Sequence, residues 1–293
     1  MKFGLCLPNY GLATSPQAIL QVAQAAEAAG YDSVWTTDHL LVPRKYGQPY
    51  GNLIEAMVTL GYLAGVTQRV ALATSVIVLP QRDPILVAKQ MAAIDQLSGG
   101  RALLGVGVGW IEEEYRFLRT DFRQRGRIAD EWLQVIRTLW TEAQPAFAGQ
   151  WINFSDTTFE PKPIQAGGVP IYVGGKSEAA IRRAVQWGDG WHPTNLEPET
   201  LAEGVAKLRQ WAGERRLTVS MRGHIAIAGH SPAAEDNNVW PIAGSTAAII
   251  ERIGAYAGAG LEYLICYFKH QTAEDILAQL EWFATEVIPV FQK

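Results

Sequence analysis

Residues 71–80, Ala-Leu-Ala-Thr-Ser-Val-Ile-Val-Leu-Pro, hold a β-branched apolar run with small polar residues, followed by a helix-like segment. The same form recurs along the chain. Each time, glycine or a polar residue stands at the C-terminal end of the strand-like run: Asn9 and Tyr10, Asp38 and His39, Gly107 and Gly109, Gly174 and Gly175, Trp191 and His192. In a (β/α)8 barrel those ends converge on one mouth, where ligands bind.

Strand-like runs fall at 2–7, 31–36, 70–79, 102–106, 170–173, 190–191, 217–228 and 262–267. Helical spacing and cap signals mark 16–29, 53–65, 84–97, 124–142, 177–187, 198–213, 245–258 and 272–291. The first helix has Ser15 as N-cap, Pro16 at its first position and Gly30 just past its end. Alternation without interruption calls for a parallel sheet, and about eight units call for a closed α/β (TIM) barrel. An open doubly wound sheet is the runner-up. The 293 residues match one such barrel, so 1–293 is read as a single domain. Residues 145–165 read as a hairpin-like excursion from the wall, a candidate lid or interface element, and 229–243 as a polar loop after the seventh strand.

Hydrophobic residues at 48% and charged residues at 18% describe an ordinary globular chain. The net charge of −4, with scattered Lys and Arg, provides no basic field for nucleic acid. No apolar run approaches the ~20 residues that cross a bilayer, so no membrane association is expected. The chain opens on a strand without a signal peptide, and Cys6 and Cys266 lie in predicted strands without a partner at metal or redox spacing. Buried free thiols in a reducing cytoplasm are the expectation.

Asp38 and His39 end the second strand, where an imidazole facing the mouth can act as acid or base, and this pair leads the catalytic candidates. The competing reading has Asp38 capping the next loop and His39 filling space. His192 can contact a ring or substrate, or pack beside Trp191. His224, His230 and His270 have no fixed spacing to carboxylates or thiols, so no metal site is expected. The turn Gly174-Gly175-Lys176-Ser177 exposes N–H groups and a cation to a phosphate, unless it is a plain tight turn. Gly105 to Gly109 resembles half of a dinucleotide fingerprint, but no acid follows at the required distance, and close approach of a flat ring to the backbone explains the glycines equally well. Tyr10, Tyr46, Tyr50, Trp110 and Phe268 on the mouth loops favour a flat or apolar small-molecule substrate. Trp132, Trp140 and Trp151, read as exposed on the outer surface, suggest a homodimer.

Taken in order, several motifs resemble the luciferase-like flavin and deazaflavin oxidoreductases: Phe3-Gly4-Leu5-Cys6-Leu7-Pro8, Ala28 to Trp35 with Asp38-His39, Ala73-Thr74-Ser75-Val76, Leu97 to Arg101, Gly105 to Trp110, and Gly188 to Trp191. The resemblance spans nearly the whole chain. It implies a flavin or deazaflavin ring in the barrel mouth, its face supported by a non-prolyl cis peptide at the end of the third strand, where Ser75-Val76 match. It implies cofactor contacts from Gly107 and Gly109, a phosphate site at Gly174, Gly175, Lys176 and Ser177, and neighbouring contacts from Trp191 and His192. A dimer is also usual in the family.

Short chain length brings the resemblance closest to members that use coenzyme F420, an 8-hydroxy-5-deazaflavin; FMN is the alternative. In the family's deazaflavin-dependent sugar-phosphate dehydrogenases a histidine after Asp takes the hydroxyl proton, and His39 matches it, with Asp38 expected to hold it. A glutamate there serves as proton donor after the glycines of the fourth strand. Here Trp110 takes that place, with Glu112, Glu113 and Glu114 nearby, which weighs against a sugar phosphate and leaves the acid role open. Three functions follow: hydride transfer between F420 and an organic substrate, FMN-dependent monooxygenation, or flavin binding without catalysis.

Overall fold

The computed structural model describes residues 1–233 and 239–292. Eight parallel strands form a ring: β1 (Lys2–Cys6), β2 (Ser33–Thr36), β3 (Ala71–Thr74), β4 (Ala102–Gly107), β5 (Ile171–Gly174), β6 (Gly190–His192), β7 (Thr218–Ile227) and β8 (Tyr263–Phe268). Each pairs with the next, and β8 with β1 closes the barrel, as in the registers Gly4↔Ser33 and Leu5↔Cys266. The helices between them are α1 (Pro16–Ala28), α2 (Ala56–Ala64), α3 (Pro84–Ser98), α4 (Glu112–Phe117), α5 (Arg125–Thr141), α6 (Glu178–Trp187), α7 (Pro198–Ala212), α8 (Thr246–Gly258) and α9 (Ala273–Glu286). The closed α/β barrel expected from the alternation is the observed fold.

Side chains alternate across each strand and thereby divide the core. Cys6, Trp35, Ala73, Leu103, Tyr172, Tyr263 and Ile265 come only from strands and fill the barrel interior. Their neighbours one position away, such as Leu5, Val34, Leu72, Leu104, Leu264 and Cys266, pack with the helices. Both cysteines are buried free thiols. Gly4 makes room for Trp35, since a Cβ there would stand 2.5 Å from the indole nitrogen.

Three local expectations need correction. The third strand is not continuous over 70–79: it breaks at Ser75-Val76, a cis peptide, and resumes at Ile77–Val78, which pairs with Val106 and Gly107. Trp132 and Trp140 are not exposed dimer anchors. Trp140 is buried and donates to Ala88 O at 3.0 Å, while Trp132 is partly buried, donates to Arg82 O and meets Trp151 edge-on. The last helix ends at Glu286, before a separate turn at Ile288–Phe291 that contains Pro289.

The excursion at 145–165 does contain a short antiparallel hairpin, Phe147–Ala148 with Asn153–Phe154. Its turn is held by Glu131 of α5, which accepts from the backbone of Gln150, Trp151 and Ile152. Of the polar loop 229–243, residues 234–238 lie outside the described residues; Ile242–Gly244 adds a short parallel strand beside β7.

Candidate active site

A cavity of about 360 Å³ opens at the C-terminal ends of the strands. Its wall includes Tyr10, Asp38, His39, Tyr50, Ser75, Val76, Gly107, Gly109, Trp110, Gly174, Gly175, Arg222, His224 and Tyr267. Residues distant in sequence meet here because each follows or ends a strand of one closed ring.

His39 is buried, and its Nδ1 lies 3.0 Å from Glu114 Oε2. A carboxylate only accepts, so Nδ1 carries the proton and Nε2 is the nitrogen left to the cavity. Glu114, only 1% exposed, also accepts from Leu40 N at 2.7 Å and Leu41 N at 3.3 Å. Burial pushes its pKa up, but hydrogen bonds from His39 and Leu40 outweigh that, so the carboxyl lies below its ordinary range and is ionised at neutral pH. Tyr50 packs on the imidazole at 4.5 Å between centroids, and Trp110 stands edge-on at 6.3 Å.

Asp38 lines the cavity but does not hold His39. Its carboxylate accepts from Val78 N at 3.0 Å and from Arg82 Nε at 3.1 Å and Nη2 at 2.5 Å, and Arg82 also pairs with Glu55. Asp38 therefore ties the end of β2 to the segment after the third-strand break. The partner of His39 is Glu114, at the inward side of α4. Of the three acids there, Glu112 is exposed and Glu113 pairs with Lys45.

Ser75 and Val76 form the cavity floor between β3 and β4. The surrounding glycines serve that floor first. A Cβ on Gly107 would meet Val76 Cγ2 at 2.7 Å, one on Gly174 would meet Val76 Cγ1 at 3.0 Å, and one on Gly109 would meet Val78 Cγ1 at 2.6 Å. The isopropyl group of Val76 occupies space that side chains at 107 and 174 would take, leaving bare backbone around it. That platform fits the face of a planar ring.

His192 does not reach the cavity wall. It is buried, stacked on Trp35 at 5.0 Å, with Nε2 2.9 Å from Ser75 Oγ and Nδ1 2.8 Å from Ser220 Oγ. Trp191 is likewise buried and donates to Gly175 O at 2.8 Å. His192 braces the floor from beneath, while Trp191, packed against Gly204 of α7, holds the Gly175 turn from the helix side. Lys176 and Ser177 are exposed at the rim: Lys176 Nζ reaches Asn195 O at 3.3 Å, and Ser177 caps α6 by accepting from Ala180 N. Phe268 faces the helices against Phe283; the mouth residue is Tyr267, one position earlier. Tyr46 packs edge-on to Trp110.

Burial first, and Arg222 second, push the pKa of both His192 and His224 down to about 3. Each ring is neutral when folded but takes a proton near pH 6.5 when unfolded. Below that pH the unfolded chain binds more protons, so the stability these rings contribute is complete above about pH 6.5 and falls as pH drops toward 3. Urea unfolding at pH 7.5 and 4.5 is expected to show a loss of about 3 kcal/mol per ring. A His192→Asn chain that loses as much stability as the parent over this interval would refute the assignment.

The sequence reading placed Glu114 only among three nearby acids without assigning it to His39, and it did not name Arg222. Glu114 sits in a run of three acids on a helix too short to display a buried face. Arg222 did leave a signal: Ser220, Arg222 and His224 alternate as polar residues through an otherwise apolar strand, the pattern of a strand whose inner face turns polar toward the mouth.

An uncharacterized protein of Mycobacterium tuberculosis is 33% identical over 219 residues, covering 70% of this chain and 75% of the relative. An F420-dependent glucose-6-phosphate dehydrogenase of Kineococcus radiotolerans is 27% identical, with 95% of this chain and 94% of the relative covered. The crystal structure of monooxygenase RslO1 from Streptomyces bottropensis superposes with a TM-score of 0.84 at 20% identity, over 99% of this chain and 100% of that one. The family model for luciferase-like monooxygenases matches residues 1–275, and the chain belongs to that family.

Proposed function

We propose that the protein is an oxidoreductase that transfers a hydride between coenzyme F420 and a small organic alcohol or carbonyl compound. The observation that carries this reading is the His39–Glu114 pair, a proton-transferring imidazole with its tautomer set by a buried carboxylate, beside a platform fit for a flat ring. The likeness to an F420-dependent dehydrogenase over most of both chains supports the choice of deazaflavin.

Val76, Gly107 and Gly174 would support the ring, and the Gly174 to Ser177 turn would receive its phosphate. Bound there, the deazaflavin supplies a carbon that gives or takes a hydride. His39 Nε2 takes the hydroxyl proton of an alcohol, or returns it to a carbonyl oxygen, as the hydride moves. Glu114 keeps the proton on Nδ1 and stabilises the imidazolium that results, as a buried acceptor does for any imidazole base. Tyr50 and Trp110 limit water around the imidazole.

Parallel titration of the apoprotein with F420 and FMN tests the reading. Binding of F420 about tenfold or more tighter than FMN, a difference of about 1.4 kcal/mol, with alcohol-dependent F420 reduction under anaerobic conditions, is expected. Preference for FMN with strictly oxygen-dependent turnover would replace this reading with monooxygenation.

A further inference from the structure

Among the described residues, the charged groups of the cavity wall are paired with one exception. Asp38 is held by Arg82, and His39 by Glu114. Arg222 is 8% exposed, and no carboxylate partners it among the described residues. Its guanidinium donates to neutral oxygens, Nη2 to Tyr10 OH at 2.6 Å and Nη1 to Thr37 Oγ1 at 3.2 Å, while Nε has no partner. It lies 4.5 Å from the Tyr267 ring. Two residues along β7, the buried Nδ1 of His224 is also without a partner, its ring 4.7 Å from Tyr267. A buried cation satisfied only by phenol and hydroxyl dipoles is incomplete, because those groups donate and accept but bring no opposite charge.

The position of these residues separates them from the ring platform. Val76, Gly107 and Gly174 belong to the arc of β3, β4 and β5, whereas Tyr10, Arg222, His224 and Tyr267 belong to that of β7, β8 and β1. A single layer of rings links Arg222 to His39: Tyr10 accepts from Arg222 and stacks on Tyr50 at 5.5 Å, and Tyr50 packs on His39. We propose that Arg222, with His224 beside it, receives a carboxylate of the substrate, so that the substrate is a monoanion with a flat apolar body between its acid group and the oxygen that reaches His39. A planar guanidinium on the cavity wall, with no carboxylate partner among the described residues and an unpartnered Nε, suits a carboxylate, which accepts in the same plane.

This inference rests on the proposed function only for the word substrate, and its test is independent of turnover. Benzoate and benzamide share a shape and differ in charge, and calorimetric titration of the apoprotein with each reads the charge preference directly. Benzoate is expected to bind about tenfold or more tighter than benzamide, and Arg222→Gln to reduce that ratio to about twofold or less. Equal affinities in the parent protein, or an undiminished ratio in Arg222→Gln, would overturn the proposal. If circular dichroism shows that Arg222→Gln does not fold, Arg222→Lys, which keeps the charge and loses the planar fork, takes its place with an expected drop of about threefold in the ratio; an unchanged ratio overturns the proposal. Repeating the benzoate titration with whichever of F420 or FMN binds separates the two sources of an anion. Retained benzoate binding supports a substrate site, and mutual exclusion assigns Arg222 to the cofactor and overturns it. Failure of both cofactors to bind with the benzoate preference intact would defeat the function proposed above and leave the anion site standing.

Discussion

Replacing His39 by alanine is expected to lower kcat for hydride transfer by about 10²–10⁴-fold, the range that a positioned acid–base group contributes, while the affinity for cofactor changes by less than about threefold. The separation follows from geometry. His39 lies beside Tyr50 and Trp110 with one nitrogen committed to Glu114, whereas the platform for the ring is Val76 and the glycines around it. Glu114→Gln preserves an acceptor for Nδ1–H and removes the negative charge that stabilises the imidazolium. Its expected effect is smaller, about 10- to 100-fold in kcat, with the cofactor titration again unmoved. Stopped-flow reduction of bound cofactor under anaerobic conditions measures both. Full activity in His39→Ala would remove the imidazole from the mechanism and leave the proton transfer to another group of the mouth.

The second large effect is on folding. Gly105→Ala is expected to cost more than about 3 kcal/mol, or to prevent folding, because the new Cβ would land on the carbonyl oxygen of Thr74, well inside contact distance. Neither strand can yield: Thr74 Oγ1 donates to Gly105 O at 2.7 Å and accepts from Gly105 N at 3.0 Å, locking the two backbones together at the break in the third strand. Gly61→Ala supplies the control. Gly61 lies inside α2 with nothing within 4 Å of its added Cβ, so the same substitution is expected to stabilise by about 0.5–1 kcal/mol through helix propensity. Equal urea midpoints for the two variants would show that the close approach at Gly105 relaxes freely.

The expected homodimer loses one of its arguments. Trp140 is core and Trp132 is bound to Arg82 O, so neither offers a free apolar face to a second copy. The error arises from period alone: aromatic residues at helical spacing look the same whether the stripe faces a partner or the neighbouring helix α3.

What the amino-acid order determined by itself is the barrel and the residues at its rim. Alternating strand and helix signals, Ser15 and Pro16 opening α1, and polar or glycine residues ending successive strands are local features, set by backbone preferences that no distant contact needs to supply. His39, Ser75, Val76, Gly107, Gly109, Gly174 and Gly175 reach the cavity wall for that reason. Partnership was decided only in three dimensions. His39 could be held by its sequence neighbour Asp38 or by Glu114, 75 residues away, and closure of the ring turned Asp38 to Arg82 and left Glu114 facing the imidazole. Phe268 and Tyr267 exchange roles because a one-residue error in a period of two moves a side chain from the mouth to the helices. His192 became a brace rather than a contact because Ser75 and Ser220, brought together by strands far apart in the chain, occupy both of its nitrogens. Strand ends are written in local sequence; which charge faces which depends on pairings between distant segments, and only the closed barrel brings those within reach.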